Sequence, residues 1–146
     1  MAIKKNVTIS KQDWTPELLV FCCNWCSYAG ADLAGVSRFQ YPPNMRIVRV
    51  MCSGRVDPSF VLKALKHGAD GILISGCHIG DCHYMSGNEY TQERFKRVHQ
   101  IIIKQLGINE KRVRLEWVSA SEGKRFADLI TQFTNDIKEL GPFKTL

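Results

Sequence analysis

Four short apolar runs, each followed by a segment of helical period, constrain this chain more than any other feature. They are "LLVF" (Leu18 to Phe21), "IVRVM" (Ile47 to Met51), "GILIS" (Gly71 to Ser75) and the alternating "VRLEWV" (Val113 to Val118). Short runs rich in β-branched residues and bounded by turn signals read as strands. The intervening segments carry helix punctuation. Asp57-Pro58 gives an N-cap followed by a first-turn proline, and Gly68 stops "SFVLKALKH". Ser86 and Glu89 have capping-box spacing ahead of Phe95, Val98, Ile102 and Leu106, which recur at helical period up to Gly107. Ser119 and Glu122 repeat that spacing before Phe126, Leu129, Ile130, Phe133, Ile137 and Leu140, and Gly141-Pro142 ends the run. After Phe21, the residues Ala29, Leu33 and Val36 suit a helix that Gly30 and Gly35 weaken, and Pro42-Pro43 then forces a turn.

A strict β-α-β-α-β-α-β-α order implies an α/β fold. Its sheet is open, mostly parallel and four-stranded, with right-handed crossovers that put helices on both faces. Analogy with flavodoxin-like and Rossmann-like sheets gives strand order 2-1-3-4. With 146 residues and no repeat, low-complexity tract or linker, residues 1–146 are expected to form a single domain.

The opening residues lack the apolar stretch of a signal peptide, and no run approaches the ~18 apolar residues of a membrane span. A cytoplasmic location is therefore expected. In that reducing compartment, six cysteines point to metal binding or thiol chemistry rather than disulfides. The formal charge of +6 is spread over Lys4 and Lys5, Arg46 and Arg49, Arg94 to Arg97, and Lys111 to Arg114, with no single basic stripe. That scatter suits a solvated surface or an acidic partner, not nucleic acid. No Gly-rich nucleotide fingerprint, phosphate loop, Ser-His-Asp set or carboxylate pair is present.

The cysteines fall where the strand readings end. Cys22, Cys23 and Cys26 follow the first run, Cys52 the second, and Cys77 and Cys82 the third. Ligands of open α/β sheets bind at the carboxyl ends of the strands, where strand order reverses. Cys23 and Cys26 form a C-x-x-C pair, and Cys77 and Cys82 a C-x4-C pair. Four thiolates satisfy either a 2Fe–2S cluster or a tetrahedral zinc. Cys22 suits a buried small hydrophobe, and Cys52 stands between an inert thiol and a ligand. Two rival readings remain open: a zinc-stabilised interaction module, and a thiol–disulfide oxidoreductase using Cys23 and Cys26. Gly54, Gly76, Gly80 and Gly87 would let backbone N–H groups approach sulfur. His78 and His83 suit outer hydrogen bonds or surface exposure rather than ligation. Arg55 could balance negative charge, and Trp25 and Tyr28 could shield the site.

Four ordered blocks, "CCNWCSYAGADLAGVSR", "RVMCSGRVDP", "GADGILISGCHIGDCHY" and "GNEYTQERF", resemble the delta subunit of methyl-viologen-reducing hydrogenase. The similarity runs from about Leu18 to the last helix. It implies an iron–sulfur subunit with a 2Fe–2S cluster and no substrate site of its own. Such a subunit links a nickel–iron hydrogenase small subunit, or a formate dehydrogenase, to the flavin-containing subunit of heterodisulfide reductase in methanogenic electron bifurcation. By position, the family's cysteine pattern falls on Cys23, Cys26, Cys52, Cys77 and Cys82. The two local pairs are the first choice of metal ligands, with Cys52 as the substitute and Cys22 outside.

Overall fold

The computed structural model describes residues 14–144, so Lys4 and Lys5 lie outside the described residues. Strand and helix alternate as β1 (Leu18–Cys23), α1 (Ser27–Val36), β2 (Met45–Val50), α2 (Pro58–Lys66), β3 (Gly71–Gly76), α3 (Gly87–His99), β4 (Val113–Trp117) and α4 (Gly123–Leu140). The strands form one all-parallel sheet in the order β2-β1-β3-β4. The expected α/β architecture and strand order are both present.

Topology decides which helix covers which face. The chain leaves β1 toward β2 and then crosses back to β3 on the other side. Right-handed crossovers in opposite directions must lie on opposite faces. Accordingly α1 and α4 cover one face, where Leu18, Val20, Cys22 and Leu73 pack against Ala31, Ala34, Phe126, Ile130 and Phe133. The helices α2 and α3 cover the other, where Phe21, Ile72 and Ile74 meet Val61, Leu65 and Val98. Between β1 and β3 the order reverses, and the loops after these strands diverge to opposite faces. The crevice they leave is where ligands of such sheets bind.

Several local expectations are corrected. β1 extends two residues past Phe21, because Cys22 and Cys23 stay in register with Arg49 and Val50 of β2. Both cysteines therefore lie inside the strand, and its side-chain alternation separates them. In α1 the glycines do not break the helix, and the buried face is Ser27, Gly30, Ala31 and Ala34, with Val36 exposed. A Cβ at Gly30 would sit 2.7 Å from the carbonyl oxygen of Ser119, so α1 approaches the β4–α4 loop too closely for any side chain.

Asp57 caps α2 as expected, accepting the Ser59 N–H at 2.8 Å. Ser86 precedes α3, but its side chain makes no capping bond. Only half of the second box forms: Glu122 Oε2 accepts the Ser119 N–H at 2.8 Å, and α4 begins after Glu122. Past His99 the chain continues as a π-helix over Gln100–Gln105. Its wider turn shifts the apolar phase, which keeps Ile102 buried and turns Leu106 to solvent.

Candidate metal centre

Alternation along β1 gives Cys22 and Cys23 opposite fates. The Cys22 side chain enters the α1/α4 core, where burial pushes its thiol up to about 12. Cys23 turns toward the crevice, and its Sγ lies 3.6 Å from Cys77 Sγ and 3.9 Å from the carbonyl oxygen of Met51. The Cys26 thiol, at the start of α1, lies near Cys77. The Cys52 and Cys82 sulfurs both lie against Gly87, and Gly54 N–H donates to Cys52 Sγ at 3.4 Å. Thus Cys23, Cys26, Cys52, Cys77 and Cys82 meet at the carboxyl ends of β1, β2 and β3, while Cys22 does not join them.

Glycine backbone forms the other wall. A Cβ on Gly87 would overlap Cys52 Sγ and lie 3.2 Å from Cys82 Sγ, so the sulfurs occupy the space a side chain would take. Gly54 packs against Gly87 in turn, with 2.8 Å between its would-be Cβ and the Gly87 carbonyl oxygen. A donor set of soft thiols against bare peptide suits iron–sulfur or zinc chemistry. Among the described residues, no three His, Cys, Asp or Glu side chains already stand in the arrangement of a single-ion site. The thiols form instead a group of three (Cys23, Cys26, Cys77) and a pair (Cys52, Cys82).

The thiols differ in how readily they ionise. Burial raises Cys26, Cys52 and Cys77 above the ordinary thiol value; neighbouring sulfurs add to it at Cys52 and Cys77, while at Cys26 the Cys77 sulfur works against it. At Cys82 burial acts the same way but is outweighed by N–H groups of Tyr84, Asn88 and Gly87, which lower it. These donors lie in the turn before α3 and in its first residues, where helix N–H groups are otherwise unpaired.

Outer contacts hold the loops. His78 Nε2 lies 2.6 Å from Glu122 Oε2, and Glu122 is lowered to about 2, first by the Ser119 N–H and then by His78. Asn88, fully buried, donates its amide to the carbonyl oxygens of Cys77 and His78 at 3.0 and 2.8 Å. Ser27 Oγ donates to the Ser75 carbonyl oxygen at 2.8 Å and ties the start of α1 to β3. Asn88 and Ser27 are invisible to a reading of apolar periods, because neither carries one. The only signal for Asn88 is the position of "GNEY" directly after the C-x4-C loop. Trp25 stacks on His83 at 3.8 Å and donates to Tyr84 Oη at 3.2 Å, in the loop after Cys82. Tyr28 packs away from the thiols, beneath Arg49.

Fold and site together define a small parallel α/β protein whose topological switch point is lined with thiols. The chain belongs to the methyl-viologen-reducing hydrogenase delta subunit family, whose model matches residues 18–141. It is 51% identical over 133 residues to an F420-non-reducing hydrogenase iron-sulfur subunit of Archaeoglobus profundus, covering 91% of this chain and 96% of that protein. The vhc iron-sulfur subunit of the F420-non-reducing hydrogenase of Methanococcus voltae is 53% identical, covering 90% of each. A longer polypeptide of the ferredoxin:CoB-CoM heterodisulfide reductase of Methanosarcina mazei is 50% identical over 127 residues, which are 87% of this chain and 16% of that protein.

Proposed function

We propose that the chain is an iron–sulfur electron-transfer subunit of a hydrogenase and heterodisulfide reductase system, with a 2Fe–2S cluster held at the thiol-lined crevice. The observation that carries this reading is that five of six cysteines lie at the carboxyl ends of β1, β2 and β3, Cys23 against Cys77 and Cys52 with Cys82 against Gly87, in a chain whose relatives are called iron-sulfur subunits. Four of the five would hold the cluster. Cys23, Cys26, Cys77 and Cys82 are the first choice and Cys52 the alternative. When bound, the group supplies one-electron chemistry, so the chain needs no substrate pocket and no proton-transfer residue.

The protein's own contribution is positioning and electrostatics. The N–H groups of Tyr84, Asn88 and Gly87 favour a thiolate at Cys82. Asn88 fixes the Cys77–His78 backbone, and Trp25 with His83 limits water at the mouth. Donor and acceptor would be a nickel–iron hydrogenase small subunit, or a formate dehydrogenase, and the flavin-containing subunit of heterodisulfide reductase. Supporting the acceptor, a segment half identical to this chain is built into the heterodisulfide reductase polypeptide of the Methanosarcina relative. No helix among the described residues is long and apolar enough to cross a membrane.

Metal analysis of anaerobically purified protein tests the reading. Iron and acid-labile sulfide in equal amounts, with a brown-red absorption, are expected. Stoichiometric zinc without sulfide, in a colourless protein, would replace electron transfer with the zinc-module reading.

A further inference from the structure

Beside the thiols, on the Cys52 side, lies a half-open groove of about 700 Å³. Its floor is Cys52, Gly54 and Gly87, and its walls are Met51, Tyr84 and Tyr90 with the two guanidiniums of Arg55 and Arg94. The lining is more apolar than water favours: Tyr90 is 64% exposed and Met51 58%, and Met85, between the lining residues Tyr84 and Ser86, is 85% exposed. Met85 is held outward in a left-handed conformation, with φ 69°, that non-glycine residues rarely adopt. Tyr84 is fixed in place by the Trp25 Nε1 bond and by its edge contact with His83. Met, Tyr, Trp and Arg are the residue types enriched in the cores of protein interfaces, and a rigid apolar cluster of this kind marks a docking surface.

The charges select the occupant. Neither Arg55 nor Arg94 forms an ion pair among the described residues. Arg94 donates to the Gly54 carbonyl oxygen, which braces α3 against the turn after Cys52. Asp57 is held low first by Ser59, whose N–H it accepts at 2.8 Å, and only at longer range by Arg94. Two uncompensated guanidiniums beside an apolar rim complement a carboxylate flanked by apolar side chains. A small anion within the groove would leave Met85, Tyr90 and Met51 uncovered, whereas a protein segment covers rim and groove together.

We propose that this groove docks a carboxylate-bearing, apolar-flanked segment of one electron-transfer partner, and so brings that partner into contact with Cys52. The proposal rests on the relay reading and adds which face of the molecule one partner uses. The other partner would approach by a different surface.

The test uses the full chain with its cofactor, prepared without oxygen, and two purified probes. One probe is the hydrogenase small subunit; the other is the flavin-containing heterodisulfide reductase subunit. Arg55→Glu and Tyr90→Ala alter exposed side chains, and Lys124→Glu on the α4 face serves as the control. Binding is measured by calorimetry, and the visible spectrum of each variant reports the cofactor independently. Both groove variants should weaken one probe by at least about tenfold, leave the other unchanged and keep the wild-type spectrum, with the control binding normally. Equal binding of both probes by wild type and groove variants overturns the groove assignment alone. Binding of neither probe by the unaltered, cofactor-loaded chain overturns it together with the relay reading.

Discussion

The two ends of the sheet are built on opposite plans. At the amino end, charged groups are sewn into the backbone. Buried Arg112 donates to the carbonyl oxygens of Asp70 and Gly141 at 2.9 and 2.7 Å. Asp70 accepts the N–H groups of Glu17 and Phe143, each at 2.9 Å. Strand entry, the end of α4 and the segment after it are thereby tied to one polar node. At the carboxyl end the backbone is instead left bare by glycines, and thiols and exposed aromatics fill the space. The amino end is thus a polar lock between strand entries and the end of α4, and the carboxyl end is where ligands of open α/β sheets bind.

Substitutions at the two poles should separate cofactor from stability. The largest effect is expected at Gly87. A Cβ there displaces Cys52 and Cys82 together, so Gly87→Ala should reduce cofactor content on the order of tenfold or more, read as iron per chain, while far-ultraviolet circular dichroism is retained. Cys26→Ser and Cys77→Ser should bleach the visible absorption as well. At the opposite pole, Arg112→Met leaves two carbonyls unpaired and should cost about 2–4 kcal/mol in denaturant unfolding, with the absorption per folded chain unchanged. Loss of colour in folded Arg112→Met, or large unfolding in Gly87→Ala with its colour intact, would dissolve the division between the poles.

Cys22 and Cys23 carry the same comparison down to adjacent residues. Cys22→Ser places a hydroxyl in the α1/α4 core and should cost about 1–2 kcal/mol without touching the cofactor. Cofactor loss in that variant would mean that Cys22 belongs to the site.

The smallest effect concerns Glu122. Its folded value near 2 lies below that of an unfolded carboxylate, so its contribution is present above about pH 4.5 and is lost as pH falls toward 2. Glu122→Gln should flatten acid unfolding in that window. Because the side chain is a third exposed, the loss at neutral pH should be only about 1 kcal/mol. An unchanged acid transition would remove the Ser119–Glu122–His78 chain from the account.

Much of the frame was legible in the chain. Strand centres stood out as apolar runs, and their order with the helices dictated a parallel sheet. Placing cysteines behind three strands brought five of the six to one rim by topology, with Cys22 turned into the core instead. What escaped was whatever depends on close approach. Gly30 read as a helix weakener, yet it is the residue that lets α1 touch the Ser119 carbonyl. Ser86 had the spacing of a cap but no capping bond, because spacing does not fix a side-chain rotamer. The π-turn after His99 moved Leu106 off the buried face, a shift that a regular period cannot foresee. Cys52, alone in sequence, stood between an inert thiol and a ligand, and only the fold sets its sulfur with that of Cys82 against Gly87. The groove next to it joins residues 50–55 to residues 84–94, which no local motif connects.

Paramagnetic resonance of the anaerobic protein, before and after one-electron chemical reduction, tests the central claim most directly. A protein silent when oxidised and carrying one unpaired spin per pair of irons when reduced is the predicted result. A protein silent in both states, with its thiols bound to zinc or freely alkylated, would contradict it.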